Sequence, residues 1–442
     1  MKKTLLTLIS CSLFYFSFAG GIVTNTNQTV HFLRNPSRDA STSIDAVYTN
    51  PAGTVFLEDG WQFSFNNQSC VQLRTIKSDF VMFENGSKTF EGETNVPIIP
   101  SIDFAYKKDK WVFSGNFDIT GGGGKATFEN GLPSFESQVA MLPAMLNSAG
   151  VTAYSVESNM VGEQYDFGGQ VGEAYKINDI FSVYGGLRVV MAKNKYTGYI
   201  RNIKINPGGG DMIPATTFAN AIGNAELGAK VADKEIDCSQ NGWGVTPIIG
   251  FDFKYNKLNV GIRYEYNTSL DVKNDTKTDD TGLFPDGAET ANDIPGYLTV
   301  GAEYKIIEKL RISAGYHLFF DKQADMANDK QEYIDKNLME YLGGLEFDVT
   351  NRITLSGGLQ LTRTGVTDNY QSDLSYSLNS YSVGFGGSVK ISEKVKANLG
   401  YFFTVYDDWT KASSNYNGTG FQGSDTYSRT NRVIGIGIDY KL

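Results

Sequence analysis

The chain has 442 residues, a formal net charge of −10, 48 glycines, 11 prolines and 13% aromatic residues. No basic face is visible to release counterions from a phosphate backbone, which excludes nucleic acid as a partner. Past the N-terminus no apolar run reaches the roughly 20 residues of a spanning helix, so a membrane location would require a closed barrel.

Residues 1–19 read as a secretory signal peptide. Lys2 and Lys3 precede the apolar run "LLTLISCSLFYFSFA", and Ser17-Phe18-Ala19 offers small residues for cleavage before Gly20. A lipoprotein site at Cys11 is the rival reading, but the apolar run continues well past that cysteine. Cys70 and Cys238 remain, either as a disulfide or as two unrelated thiols.

Residues 20–58 carry no long period-two run. They are small, polar and turn-forming, yet include Val30, Phe32, Leu33, Val47, Tyr48, Val55, Phe56 and Leu57. A free tail would be more charged and less apolar. The segment is therefore expected to form a plug, or hatch, inside whatever the rest of the chain encloses. Its end, "DAVYTNPAGTVFLEDG", holds the turn Asn50-Pro51-Ala52-Gly53 just ahead of the first convincing strand at Trp61.

From Trp61 the apolar residues recur at every second position, as in an antiparallel strand with two unlike faces. Strands are expected near 60–70, 97–107, 110–120, 164–176, 180–193, 243–256, 257–270, 295–306, 309–320, 337–349, 352–364, 378–391, 394–406 and 430–442. That makes an all-β, membrane-spanning antiparallel barrel of about fourteen strands over residues 59–442. Short turns such as "KKDK", "YNK" and "VTN" alternate with long polar segments. This sorting is the mark of an outer-membrane barrel, and an even strand number puts both termini in the periplasm.

Three stretches stand out along the barrel. "DITGGGGKAT" ends the third strand. Gly121, Gly122, Gly123 and Gly124 allow a bulge, kink or gap there, or simply begin a flexible loop. The outer loop 121–163 carries Phe135, Val139, Met141, Leu142, Met145 and Leu146, four of them at helical spacing. The outer loop 194–242 adds Met212, Phe218 and Ile222. Apolar helices in exposed loops suit capture of adaptable apolar ligands, or else pack on each other as a cap. The inward strand faces carry both charge signs, including Asp103, Arg188, Arg263, Glu265, Glu340 and Glu346. Fourteen strands enclose more room than side chains alone fill. The last strand, "RVIGIGIDYKL", runs apolar on one face to Leu442, where such barrels usually end on an aromatic residue.

The stretch "RDASTSIDAVYTNPAGTVFLEDG" resembles the N-terminal signature of the FadL/TodX family of outer-membrane transporters. Asp39, Ala40, Tyr48, Asn50, Pro51, Ala52 and Gly53 carry the likeness, and the layout of the chain from Gly20 to Leu442 agrees with it. The resemblance implies a fourteen-stranded barrel blocked by an N-terminal hatch, and passive uptake of long-chain fatty acids or aromatic hydrocarbons. It also implies a low-affinity groove on the two outer-loop helices and a lateral route at the kinked third strand.

The expected partners are a hydrophobic small molecule, outer-membrane lipid and lipopolysaccharide, and the barrel-assembly machinery acting on the last strand. The protein is expected to be a monomer, without enzymatic activity, metal or cofactor. Two other readings stay open: a general diffusion porin, and a haem-binding receptor using one of the two histidines, His31 or His317. A lipase would need a Ser–His pair that the sequence does not offer. The acidic loop "VKNDTKTDDTGLFPDG" lacks the closing glutamate of a calcium loop.

Overall fold

The structure, a computed structural model, describes residues 21–442; the expected signal peptide, Cys11 and Gly20 lie outside the described residues. Fourteen antiparallel strands make one closed wall. The first five are β1 (Gly60–Phe80), β2 (Ser87–Lys108), β3 (Trp111–Phe128), β4 (Tyr154–Lys176) and β5 (Phe181–Ile205); Lys234–Tyr255 is the sixth. The seventh and eighth are each interrupted, as Leu258–Glu265 with Asp271–Asp279 and Glu289–Ala291 with Tyr297–Ile307. Leu310–Phe319, Met339–Asp348, Ile353–Arg363, Ser380–Lys390, Val395–Tyr406 and Gly423–Lys441 complete the wall. Two short strands, Ile213–Pro214 and Trp409–Ser413, pair onto β5 and the last strand. Closure comes from β1 and the last strand, which pair from Gln62 opposite Lys441 to Phe80 opposite Gly423. Among the described residues every strand of the wall thus has a neighbour on both sides, as a lipid environment requires.

The alternation in sequence becomes two chemically different surfaces. On the sixth strand Tyr255, Phe251, Ile249, Val245 and Trp243 point outward and are exposed. On the last strand Ile434, Ile436 and Ile438 do the same at 52%, 63% and 51% exposure. Isoleucines at that exposure all round a wall would be an aggregation liability in water and are the expected surface in hydrocarbon. Aromatic pairs mark the short-turn rim, Trp61 with Tyr106 at 4.9 Å and Trp111 with Tyr175 at 4.5 Å between ring centroids. That is where amphipathic rings meet the lipid–water interface.

Strand lengths correct the sequence reading. The first six strands have 18–25 residues, whereas a spanning strand needs about 9–11. The expected loop 121–163 therefore shrinks to 129–153 between β3 and β4, and 194–242 to 206–233. The segment expected as a loop at 71–96 is mostly paired strand, β1 against β2. The outer halves of these strands leave the apolar band and carry residues such as Glu91, Glu93, Lys193, Lys195 and Glu235 outward. With the outward face polar and the lumen face mixed, they show only a weak hydrophobic period.

Candidate functional site

Residues 21–57 are almost all buried, and their contacts are with the inward faces of the wall. The segment contains α1 (Val30–Arg34), α2 (Ala46–Thr49) and a 3₁₀ turn, Pro51–Phe56. Proline is the first residue of that turn, where its fixed φ is favourable and its missing N–H costs nothing. Val47, Ala52, Val55 and Leu57 form an apolar cluster with Ala105, Val112, Ala174, Tyr184 and Ile248 of the wall. Higher up, Phe32 and Leu33 pack with Cys70, Leu342, Phe402 and Val433.

The polar residues of the segment reach nearly every side of the barrel. Asn50 Nδ2 donates to the Ser41 carbonyl (3.0 Å) and to Asp252 Oδ2 (2.5 Å). Ser182 Oγ donates to the Ala52 carbonyl at 2.7 Å. A Cβ on Gly53 would strike the Asn50 amide and the Ser41 carbonyl, so that position admits only glycine without rearrangement. Tyr48 lies between two arginines, Arg263 at 4.5 Å and Arg188 at 5.2 Å from its ring, and its own carbonyl accepts from Arg263. Arg188 in turn forms a two-pronged pair with Glu265 at 2.6 and 3.0 Å. Arg34 reaches Glu346 at 2.6 Å, and Arg38 holds Asp45 at 2.8 and 2.9 Å. Paired and hydrogen-bonded in this way, buried charges are tolerated.

Both histidines are bonded. His31 Nε2 lies 3.1 Å from Asp439, and His317 bridges Glu340 (Nδ1, 2.8 Å) and Asp39 (Nε2, 2.9 Å). Cys70 and Cys238 are free thiols, Cys70 donating to Asn431 Oδ1 at 3.0 Å.

Beside the hatch the ladder of the wall is interrupted. β2 pairs with β3 at Gly92–Thr94 and again at Ile102–Lys108, but not between. On the β4 side the register slips on both sides of Gly121. Gly122 and Gly124 have φ of +83° and +72°, which L side chains rarely adopt. The glycine run thus lies within a strand and bends it, rather than starting a loop. The hatch satisfies the backbone groups this frees. Thr24 bridges to Gly121, Asn25 N donates to the Thr120 carbonyl (2.7 Å), and Gln28 Nε2 to the Ile119 carbonyl (3.0 Å).

Above the hatch, toward the long loops, lies an apolar cluster of buried side chains. It includes Ile76, Phe80, Phe83, Phe90, Phe128 and Tyr427. The residues expected in an outer-loop groove do not converge on one surface. Met141 and Phe135 join this cluster. Val139, Leu142, Leu146 and Phe218 pack where α3 (Pro133–Ala140) and α4 (Leu142–Met145) meet α5 (Ala215–Ala221) and α6 (Ala225–Lys230). Met145, Met212 and Ile222 remain exposed, at 53%, 38% and 52%. Much of the expected groove is therefore loop-on-loop packing.

A closed wall with an apolar outer band, a lumen filled by the N-terminal segment and a packed apolar cluster above it define a membrane β-barrel. Solved structures share this architecture. A FadL homologue from Pseudomonas aeruginosa is similar at 12% identity and a TM-score of 0.65, over 97% of this chain and 99% of that one. The P. putida toluene transporter TodX is similar at 15% and 0.58, over 90% and 94%. The Ralstonia pickettii toluene transporter TbuX is similar at 14% and 0.54, over 92% and 98%. At these identities the likeness establishes a common fold. No protein-family model and no curated protein sequence matches the chain.

Proposed function

We propose that this protein is an outer-membrane channel for passive uptake of hydrophobic small molecules, long-chain fatty acids or aromatic hydrocarbons, and that it is not an enzyme. The observation carrying this reading is the combination of a filled lumen with an interrupted β2–β3 ladder facing the hatch. A filled lumen disfavours an open diffusion porin. An apolar cluster above the hatch, together with the interrupted β2–β3 ladder, suits cargo that partitions into lipid. Cargo would meet the exposed Met145, Met212 and Ile222, pass into the apolar cluster, and leave sideways past Gly121–Gly124 or after movement of the hatch. The chain acts as a monomer with both termini in the periplasm, seated among outer-membrane lipid and lipopolysaccharide. Its last strand is the segment the barrel-assembly machinery would read. Soluble haem would need an open histidine, and both histidines face carboxylates, so the haem reading is disfavoured too.

Native mass spectrometry of the protein purified from its own membrane in non-ionic detergent tests the reading. An apolar small molecule should remain bound and be replaced by added cis-parinaric acid or its methyl ester. A folded barrel that carries nothing and takes up neither probe would contradict it.

A further inference from the structure

Asn50 of the hatch and Asn259 of the seventh strand converge on one atom of the sixth. Each donates from its side-chain amide to Asp252 Oδ2, at 2.5 and 2.9 Å. The same two nitrogens also hold hatch backbone, Asn50 Nδ2 donating to the Ser41 carbonyl and Asn259 Nδ2 to the Ala40 carbonyl, both at 3.0 Å. These four bonds fix which end of each amide is nitrogen and which is oxygen. The other side-chain oxygen of each residue is left over. Asp252 Oδ1, Asn50 Oδ1 and Asn259 Oδ1 are all buried and have no hydrogen-bond partner among the described residues. The three residues are 0%, 1% and 5% exposed.

Buried polar atoms are nearly always bonded, so three orphans on one hydrogen-bonded trio call for a cause. All three are acceptors, and none can satisfy another. The side chains around them do not donate either. Gly261, opposite Asp252 on the seventh strand, has no side chain, and a Cβ there would strike Asn50 Oδ1 and the Asp39 carbonyl. Lys254, next on the lumen face of the sixth strand, holds its ammonium 4.2 Å from the Phe56 ring. Glu303, opposite Asn259 on the eighth strand, adds a second carboxylate to the same face. The set is therefore one carboxylate and two amide carbonyls gathered around a shared atom, with a further carboxylate beside them. Oxygen donors without nitrogen or sulfur match a hard cation. Calcium accepts carboxylates, amide carbonyls and water in a flexible shell, whereas magnesium demands a near-ideal octahedron.

We propose that Asn50, Asp252 and Asn259 hold one calcium ion between the hatch and the wall. The ion joins the start of the Pro51–Phe56 turn to two neighbouring strands, close to the short turn that follows Tyr255. Seating of the hatch then depends on calcium. The inference concerns how the lumen is closed and stands apart from what the channel carries.

The test is isothermal titration calorimetry with calcium chloride on the full-length protein, purified in non-ionic detergent and stripped with EGTA. Acidic surface loops bind calcium weakly, so the parent is compared with folded variants. The parent should show one site per chain that is absent from Asp252→Asn and at least tenfold weaker in Asn259→Ala. Heat-modifiable migration in SDS gels confirms that each barrel is folded. Proteolysis within residues 21–57 gives a second readout. Added calcium should slow it at least threefold in the parent. In Asp252→Asn the new amide can donate to the leftover carbonyls, so cleavage should be slow with or without calcium. A parent with no calcium site beyond those kept by folded Asp252→Asn, or hatch cleavage in the parent that ignores calcium, would overturn the proposal.

Discussion

His317, on the ninth strand, bonds Asp39 of the hatch at 2.9 Å through one ring nitrogen while its other nitrogen lies 2.8 Å from Glu340 on the neighbouring strand. The ring thus ties the hatch to the wall through two carboxyl groups, one at each nitrogen. Glu340 is further fixed by Gln360 (2.5 Å) and Thr362 (2.9 Å). Removing one partner of a buried pair costs about 3–5 kcal/mol, because a charge is left unmatched. His317→Leu is therefore expected to loosen the middle of the hatch. In planar bilayers it should add frequent short openings to an otherwise quiet barrel. A variant as quiet as the parent would show that the bridge does not hold the hatch.

The hatch also needs the wall to be smooth beneath it. Gly301 and Gly315 stand opposite one another under Asp39, Gly344 and Gly358 under Asn35 and Pro36, and Gly384 under Leu33. A Cβ at Gly344 would collide with the Asn35 amide, and one at Gly384 with the Leu33 carbonyl. Gly344→Val and Gly384→Val should each displace the hatch while leaving the barrel itself folded. Faster proteolysis within residues 21–57 of an intact barrel would report this. Unchanged cleavage would mean that the hatch adjusts at no cost.

Gly122 is the third test. Its positive φ, and the Gln164 carbonyl against which a Cβ would press, leave no room for a side chain in the present bend. Gly122→Val should restore a straighter β3 and narrow the gap beside β2. Cargo should then still bind, but leave several-fold more slowly, as followed by stopped-flow transfer of cis-parinaric acid from protein to vesicles. Unaltered transfer would remove the gap from the route.

Lys330, in the loop between the ninth and tenth strands, is 5% exposed, lies 4.2 Å from the Tyr370 ring and donates to the Ser375 carbonyl at 3.1 Å. Burial pushes its ammonium down from 10.5 to about 7; Lys411 adds to the fall and Asp373 only partly offsets it. Because the folded value lies below the unfolded one, charging disfavours the packed loop. The penalty is full below pH 7 and fades as pH rises toward 10. Chymotrypsin cleavage at Tyr333, normalised to an unstructured peptide, should slow between pH 7 and 9. Lys330→Met should be slow at both. Equal rates at both pH values in the parent would contradict the assignment.

The sequence made the barrel legible because lipid imposes period two on the outward face. In "RVIGIGIDYKL" that period runs through Ile434, Ile436 and Ile438, all exposed. The Asn50–Gly53 turn was legible as a turn from Pro51 and Gly53, and its burial from the apolar residues Val47, Tyr48, Val55 and Leu57 around it. The outer halves of the first six strands were not, since above the apolar band the outward face turns polar and the lumen face is mixed, with apolar residues such as Ile76, Phe80 and Phe90 set among polar ones. The Asp39–His317 bridge joins residues 278 positions apart. Only insertion of the hatch into the lumen brings them together, and no local spacing announces it.

Uptake itself is the most direct test. The full-length protein, expressed in the outer membrane of a Gram-negative strain lacking its own long-chain fatty acid channel, should raise the initial rate of radiolabelled oleate uptake severalfold. The exclusion of a polar tracer of similar mass should be unchanged. A correctly inserted, heat-modifiable barrel that leaves oleate uptake at the background rate, or that admits the polar tracer equally well, would contradict the account.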